Sequence, residues 1–399
     1  MSTYGIIAFV VGRFLPGIII LAPTMLGIIY GNWAAARFVE NSGSAMGVGS
    51  WSVTGLFTVG TIILAVLIGL PAGTAEITGA DGKPLAGSIA ELKTVSIGGH
   101  DQVMMIRGSN IDNPVLLYLA GGPGGTDLGA MRKADTGLED NFVVVTWDQR
   151  GTGKSYSALD PAETLTLARM VADTLEVTNY LRDRFEEEKI YLVGNSWGTI
   201  LGTLAVKERP ELFHAYIGAG QMVSPKETDI MFYEDTLELA ESTGRNGLDS
   251  RLEKNGTPPY ENILSYEPAI SYEHQWNSNP ARDPSTELPS NLFVSENSFM
   301  DKINGMRGFF DVFSILYPRI QEVDFRNDVL RLEVPVYIVM GKYEARGRET
   351  PAREWFGLLE APTKELIEFD NSGHRPHFEE PAKFSSIMSR VADETYRSS

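Results

Sequence analysis

The stretch Lys189–Gly198, KIYLVGNSWG, holds the side chain best placed for covalent chemistry. Ile190–Val193 is an apolar run of strand formers that stops at Gly194. Thr199–Val206 reads as a buried helix, with Gly202 and Ala205 on the face that meets a sheet. Between them lies Gly194-Asn195-Ser196-Trp197-Gly198, a G-x-S-x-G at a strand-to-helix turn, which is the setting a nucleophile elbow requires. On such a turn the serine hydroxyl projects above the sheet edge, and a Cβ at either flanking glycine would crowd a neighbouring element. A tight connection holding a chance serine would show the same five residues, so the rest of the chain has to decide.

A serine hydroxyl is a weak nucleophile at neutral pH. It needs a base within hydrogen-bond reach, and the base needs an orienting acid. Where an elbow carries the serine, the partners follow in the order acid, then histidine. Ser196, Glu344 and His374 take that order, and each follows an expected strand, so all three should emerge at one sheet edge. His374 is preferred to His377 because it directly follows Ser372-Gly373, in a loop able to reach back to the elbow. His377, ahead of Phe378-Glu379-Glu380, reads as a packing or surface residue. Asp370 is the rival acid, but it lies too near His374 and follows the wrong strand. The developing oxyanion needs backbone N–H donors, which Trp197 and the glycine loop at Gly121 and Gly122 can supply.

These residues must be positioned by a scaffold, and the element order names its class. Ile89–Ile97 and Gln102–Gly108 read as a strand pair turning at Gly98–Asp101, with His100 a structural turn residue. Pro114–Leu119 is a buried strand running into Ala120–Gly125, and Phe142–Trp147 is another, ending in Asp148-Gln149-Arg150-Gly151-Thr152-Gly153-Lys154-Ser155. Gly153-Lys154-Ser155 mimics the end of a P-loop, but that motif needs glycine at 148, where Asp148 stands. Asp148 and Arg150 read as structural ties for their loop. Leu165–Phe185 reads as a long helix before the elbow strand, Ala215–Gly220 as a short strand after it. Gln221–Val329 then changes character, with prolines, asparagines and aromatics and helical stretches near Asp229–Ser242 and Ser298–Leu316; it reads as a helical cap. Strands resume at Pro335–Met340 and Lys364–Asp370, and a helix at Pro381–Thr395 closes the chain. Such alternation predicts an α/β fold, a mostly parallel sheet with helices on both faces, whose ligands bind outside the carboxyl ends of the strands.

Ahead of this lie two apolar runs, about 4–30 and 53–70, each long enough to cross a bilayer. Arg13, Pro16 and Pro23 interrupt the first; the second is uncharged, with Trp51 and Pro71 at its edges. They read as a membrane hairpin over 1–71. A linker follows at 72–90, then core at 91–220, cap at 221–330 and core again at 331–399. Arg37 is the basic residue of the link between the spans, which favours a cytoplasmic link, a multi-pass protein of the cell membrane and a catalytic domain outside the cytoplasm. The net charge of −18 argues against nucleic acid as partner. The chain has no cysteine, which excludes disulfides, zinc–thiolate sites and a thiol nucleophile. No metal or cofactor is implied.

Taken together the motifs carry a resemblance. Ala120–Gly124 is similar to the HGGPG loop of the proline iminopeptidase family, the S33 peptidases of the α/β-hydrolase fold. Asp148–Ser155 resembles its DQRGxGxS, Gly194–Gly198 its GxSxG and Gly373-His374 its GH. The resemblance covers roughly Val115–Ala392, the cap by position alone, and implies an α/β-hydrolase fold with a helical cap. Ala120 replaces the usual histidine, Glu344 stands where the family has aspartate, and the cap lacks a clear copy of the acidic motif that grips the substrate's amine. The implied activity is release of N-terminal residues, often proline, from short peptides through an acyl-enzyme on Ser196. An esterase, lipase-like or amide hydrolase is the alternative, and a non-catalytic binding protein a second. A buried ammonium needs facing carboxylates. Glu234, Glu238 and Glu241 share one helical face in the cap and are the candidates, against a solvated charge row.

Overall fold

Strands β1 (Ile89–Ile97) and β2 (His100–Gly108) form a hairpin closed by Gly98-Gly99, whose φ angles are 56° and 76°. Two-residue turns that match strand twist need positive φ at both central positions, which glycine adopts without strain. The turn is therefore shorter than expected, and His100 belongs to β2, paired with Ile97. This computed structural model describes residues 72–396 apart from 135–136, 277–278, 281 and 283–289, together with 30, 59 and 60. The expected membrane hairpin, with spans about 4–30 and 53–70, thus lies outside the described residues except at three positions. Among the described residues no helix is long and apolar enough to cross a membrane.

The hairpin leads into β3 (Val115–Leu119), β4 (Val143–Asp148), β5 (Ile190–Asn195), β6 (Phe213–Ala219), β7 (Val336–Gly341) and β8 (Lys364–Phe369). These strands make a sheet of order β1-β2-β4-β3-β5-β6-β7-β8. The β1–β2 and β2–β4 pairs are antiparallel; every pair from β4 to β8 is parallel. The apolar runs are continuous because both faces are covered. Leu117, Val145, Leu192 and Ile338 join one core, while their neighbours Leu116, Val144, Val193 and Val339 join the other. Helices α1 (Leu167–Phe185) and α2 (Trp197–Glu208) pack on the first face. Thr166 caps α1 by accepting the Arg169 N–H at 3.1 Å, which starts the helix there.

Between β6 and β7 the chain forms α3 (Pro225–Thr243), α4 (Asn246–Asn255), α5 (Glu267–Trp276) and α6 (Phe299–Leu316). The first and last of these were expected. Helix α4 buries only Leu248 and Leu252, so its sequence lacks a readable apolar stripe. Helix α7 (Arg346–Leu358) links β7 to β8, and α8 (Pro381–Thr395) covers the second face. Residues 72–88, before β1, have no helix and a single bridge, Thr78 to Pro84, yet they are held in place. Gly73 N–H donates to Ser295 O at 3.1 Å. Arg107, 5 % exposed, donates to Thr74 Oγ1 at 2.6 Å and to Ala75 O, and is fixed in turn by Glu139.

Candidate active site

Ser196 sits between β5 and α2 with φ 51° and ψ −120°, a conformation that a non-glycine residue adopts only when its surroundings impose it. The surroundings are tight. A Cβ on Gly194 would lie 2.6 Å from Gly198 O, and one on Gly198 would collide with the end of β3 at Leu119 O. The strained serine therefore faces a cavity of about 370 Å³ at the carboxyl ends of the parallel strands.

Glu344 follows β7 and His374 follows β8, and both come to the same place. His374 Nδ1 lies 2.8 Å from Glu344 Oε2. Glu344 is 1 % exposed. Burial pushes its carboxyl up, but the His374 imidazole, Arg348 and the Ala345 N–H outweigh that and bring it down to about 2. An ionised carboxylate can only accept, so Nδ1 carries the proton toward Glu344 and the lone pair is left on Nε2. Ser196 and His374 both line the cavity. The serine hydroxyl points at Met222 Sδ, 3.7 Å away; the bond from nucleophile to base often tightens only around substrate.

Gly121, Gly122 and Trp197 surround the serine from the other side. A Cβ on Gly121 would sit 3.3 Å from Ser196 Cβ, and both loop glycines line the cavity. Trp197 is the first residue of α2, so its N–H has no acceptor within the helix. Its indole, fully buried, donates to Gln149 Oε1 at 2.9 Å, and Gln149 Nε2 donates to Ala120 O at 3.2 Å. Gln149 thus ties the elbow to the glycine loop, a link that sequence reasoning missed beside its charged neighbours. Arg150 is buried in a two-pronged pair with Asp173 of α1, at 2.7 and 3.2 Å. Asp148 accepts the Thr126 hydroxyl and the Lys154 N–H; burial raises its carboxyl to about 6.

The structure separates the other candidates. His377 is buried, with Nε2 3.0 Å from Tyr118 OH, and burial holds it well below its ordinary value, so it is a neutral packing group. Asp370 is 79 % exposed. Glu234, Glu238 and Glu241 do not reach the cavity: all three are exposed, and Glu234 pairs with Arg346 at 3.1 Å. Helix α3 turns Thr228, Asp229 and Phe232 to the cavity instead, one turn apart on the opposite face. Asp229, 5 % exposed, accepts the Tyr317 hydroxyl at 2.7 Å and Gln321 Nε2 at 3.2 Å. Phe309, Phe313 and Tyr317 make an aromatic wall beside it, the last two stacked at 4.2 Å. Asp127 lines the floor, held by Arg375 at 2.7 Å and by Asn291 at 2.5 Å. Sequence could have flagged Asp127 and Arg375, which lie just past the glycine loop and His374. Asp229 lacked a signal because the charge row one turn on is the stronger pattern. Among the described residues no cluster of His, Asp and Glu could hold a metal ion.

Residues 121–387 match the alpha/beta hydrolase family. The chain is 32 % identical over 308 residues to the probable aminopeptidase YbaC of Bacillus subtilis (strain 168), covering 76 % of this chain and 97 % of the relative. It is 22 % identical over 290 residues to a probable proline iminopeptidase of Leptolyngbya boryana, covering 67 % and 83 %. Among solved structures, VinJ aligns with a TM-score of 0.56 at 20 % identity, over 76 % of this chain and 98 % of that one. Proline iminopeptidase from Mycobacterium smegmatis aligns with 0.54 at 17 %, over 77 % and 100 %. At these identities the structural matches bear on the fold alone.

Proposed function

The chain belongs to the alpha/beta hydrolase family, and from that premise we propose that it is a serine aminopeptidase of the proline iminopeptidase type. The observation that carries the proposal is the Glu344–His374 pair meeting the strained Ser196 at one cavity. Ser196 Oγ attacks the scissile carbonyl as its proton passes to His374 Nε2. The tetrahedral oxyanion accepts from the Trp197 N–H and the Gly121–Gly122 loop. Collapse expels the amine, which takes the proton from His374. Water then repeats the sequence on the acyl-enzyme.

Aminopeptidase specificity is supported by the relatives' names and by a carboxylate in the cavity. A substrate ammonium buried near Ser196 needs a negative partner. Asp229 takes that role in place of Glu234, Glu238 and Glu241, since it is a carboxylate of α3 that lines the cavity, with Tyr317 and Gln321 holding it in place. The test compares free-amine and N-acetylated aminoacyl amides. Free-amine substrates should be strongly preferred, and Asp229→Asn should raise KM for them while sparing simple esters. Equal cleavage of both classes would replace the aminopeptidase by an esterase or amidase. We also propose that the apolar runs at about 4–30 and 53–70 anchor the protein in the cell membrane, with the catalytic domain outside the cytoplasm; span length and Arg37 support this.

A further inference from the structure

Helix α6 has two apolar faces. Gly305, Gly308, Val312 and Leu316 are buried against the fold. Phe299, Ile303, Met306 and Phe310, at intervals of four, three and four, make a second stripe. That stripe meets solvent: Met306 is 40 % and Phe310 42 % exposed, and the other two are half-buried. Phe293, in the segment leading into α6, is 69 % exposed. Its neighbour Leu292 packs against Gly305, so that segment runs along the helix. Contiguous aromatic and thioether surface of this kind marks a contact face.

What covers it follows from where the preceding chain arrives. Gly73 N–H is bonded to Ser295 O at 3.1 Å, two residues from Phe293, and Arg107 grips Thr74 and Ala75. Residues 1–71 hold both apolar runs, so the polypeptide leaving them reaches the fold on this face. We propose that Phe293, Met306 and Phe310 rest in the interface of the bilayer in which those runs are embedded; the inference depends on the anchoring proposed above. The partner is a zwitterionic phospholipid surface met by apolar contact, because a chain of net charge −18 is repelled by an anionic one. Phe309, next to Phe310, and Ile270, 44 % exposed, both line the cavity, so docking sets the cavity mouth against the lipid headgroups.

The absence of cysteine permits single labels on the full chain. Phe293→Cys, Phe310→Cys and, as a control ahead of β5 at the opposite end of the strands, Glu188→Cys would each carry an environment-sensitive fluorophore in phosphatidylcholine vesicles. The expected result is flotation of all three with the vesicles, with labels at 293 and 310 blue-shifted and quenched by brominated lipid while that at 188 reports water. Flotation with all three labels in water would overturn the docking and leave the anchor standing. Labels at 293 and 310 that are shielded but not quenched by brominated lipid would mean that protein covers the face, which also overturns it. Failure to float would overturn anchor and docking together.

Discussion

At the scale of single residues, the site depends on one carboxylate kept ionised in a dry place. Ser196→Ala should lower kcat by on the order of 10⁴-fold or more with the fold intact, measured by turnover and circular dichroism. Glu344→Gln should lose roughly 10³- to 10⁴-fold, because an amide at that position no longer selects the Nδ1–H tautomer. Asp370→Asn, at an exposed position, should stay within a few-fold of wild type; the reverse ranking would reassign the acid. Glu344 also sets a pH signature. Its folded value of about 2 lies below the ordinary value of 4.5, so its stabilisation is complete above about pH 4.5 and is lost as pH falls through about 2. Urea midpoints of wild type should therefore fall more steeply across that window than those of Glu344→Gln.

At the scale of elements, each functional group hangs on a loop that another element pins. The loop after β4 is held by Arg150 on Asp173 of α1, with Arg150 also donating to Ala158 O. Asp173→Asn leaves a buried guanidinium half-paired and should cost about 3–5 kcal/mol in chemical denaturation. Because Gln149 belongs to the same loop, activity should fall with it. The loop after β6 makes a closer test. Gly220 has φ 59°, and a Cβ there would lie 2.8 Å from the His374 ring. Gly220→Ala should displace the imidazole and reduce kcat with little change in substrate affinity; an unchanged kcat would show that the base has room to move.

At the scale of the whole molecule, the segment after the apolar runs is part of the catalytic body. A chain beginning at Ala72 keeps Gly73, Thr74 and Ala75 on Ser295 and Arg107 and should be soluble and active. One beginning at Ile77 strands two donors of a buried arginine, at a cost of about 1–3 kcal/mol. Its melting temperature should drop, and KM should rise as the 290–297 segment, which supplies Asn291 to the cavity, loosens. Equal stability of the two truncations would show that the segment is only a tether.

Much of this was legible without coordinates. The parallel sheet was, because strands covered on both faces must be continuous apolar runs, as at Val115–Leu119 and Ile190–Val193. So was the convergence of Ser196, Glu344 and His374 on one edge, because each directly follows a parallel strand and those strands share a direction. The choice of His374 over His377 came from loop position alone. Tertiary structure decided what depends on rotation and on distant partners. Which face of α3 meets the cavity is set by packing against α5 and α7, so Asp229 and Phe232 point in and the glutamate row points out. Gln149 between Trp197 and Ala120, Arg107 on the segment at 73–75, and Asp127 on Arg375 join residues far apart in the chain. No local pattern encodes such pairs: hydrophobic periodicity and turn chemistry act over a few residues, whereas these contacts exist only once the sheet has brought its loops together.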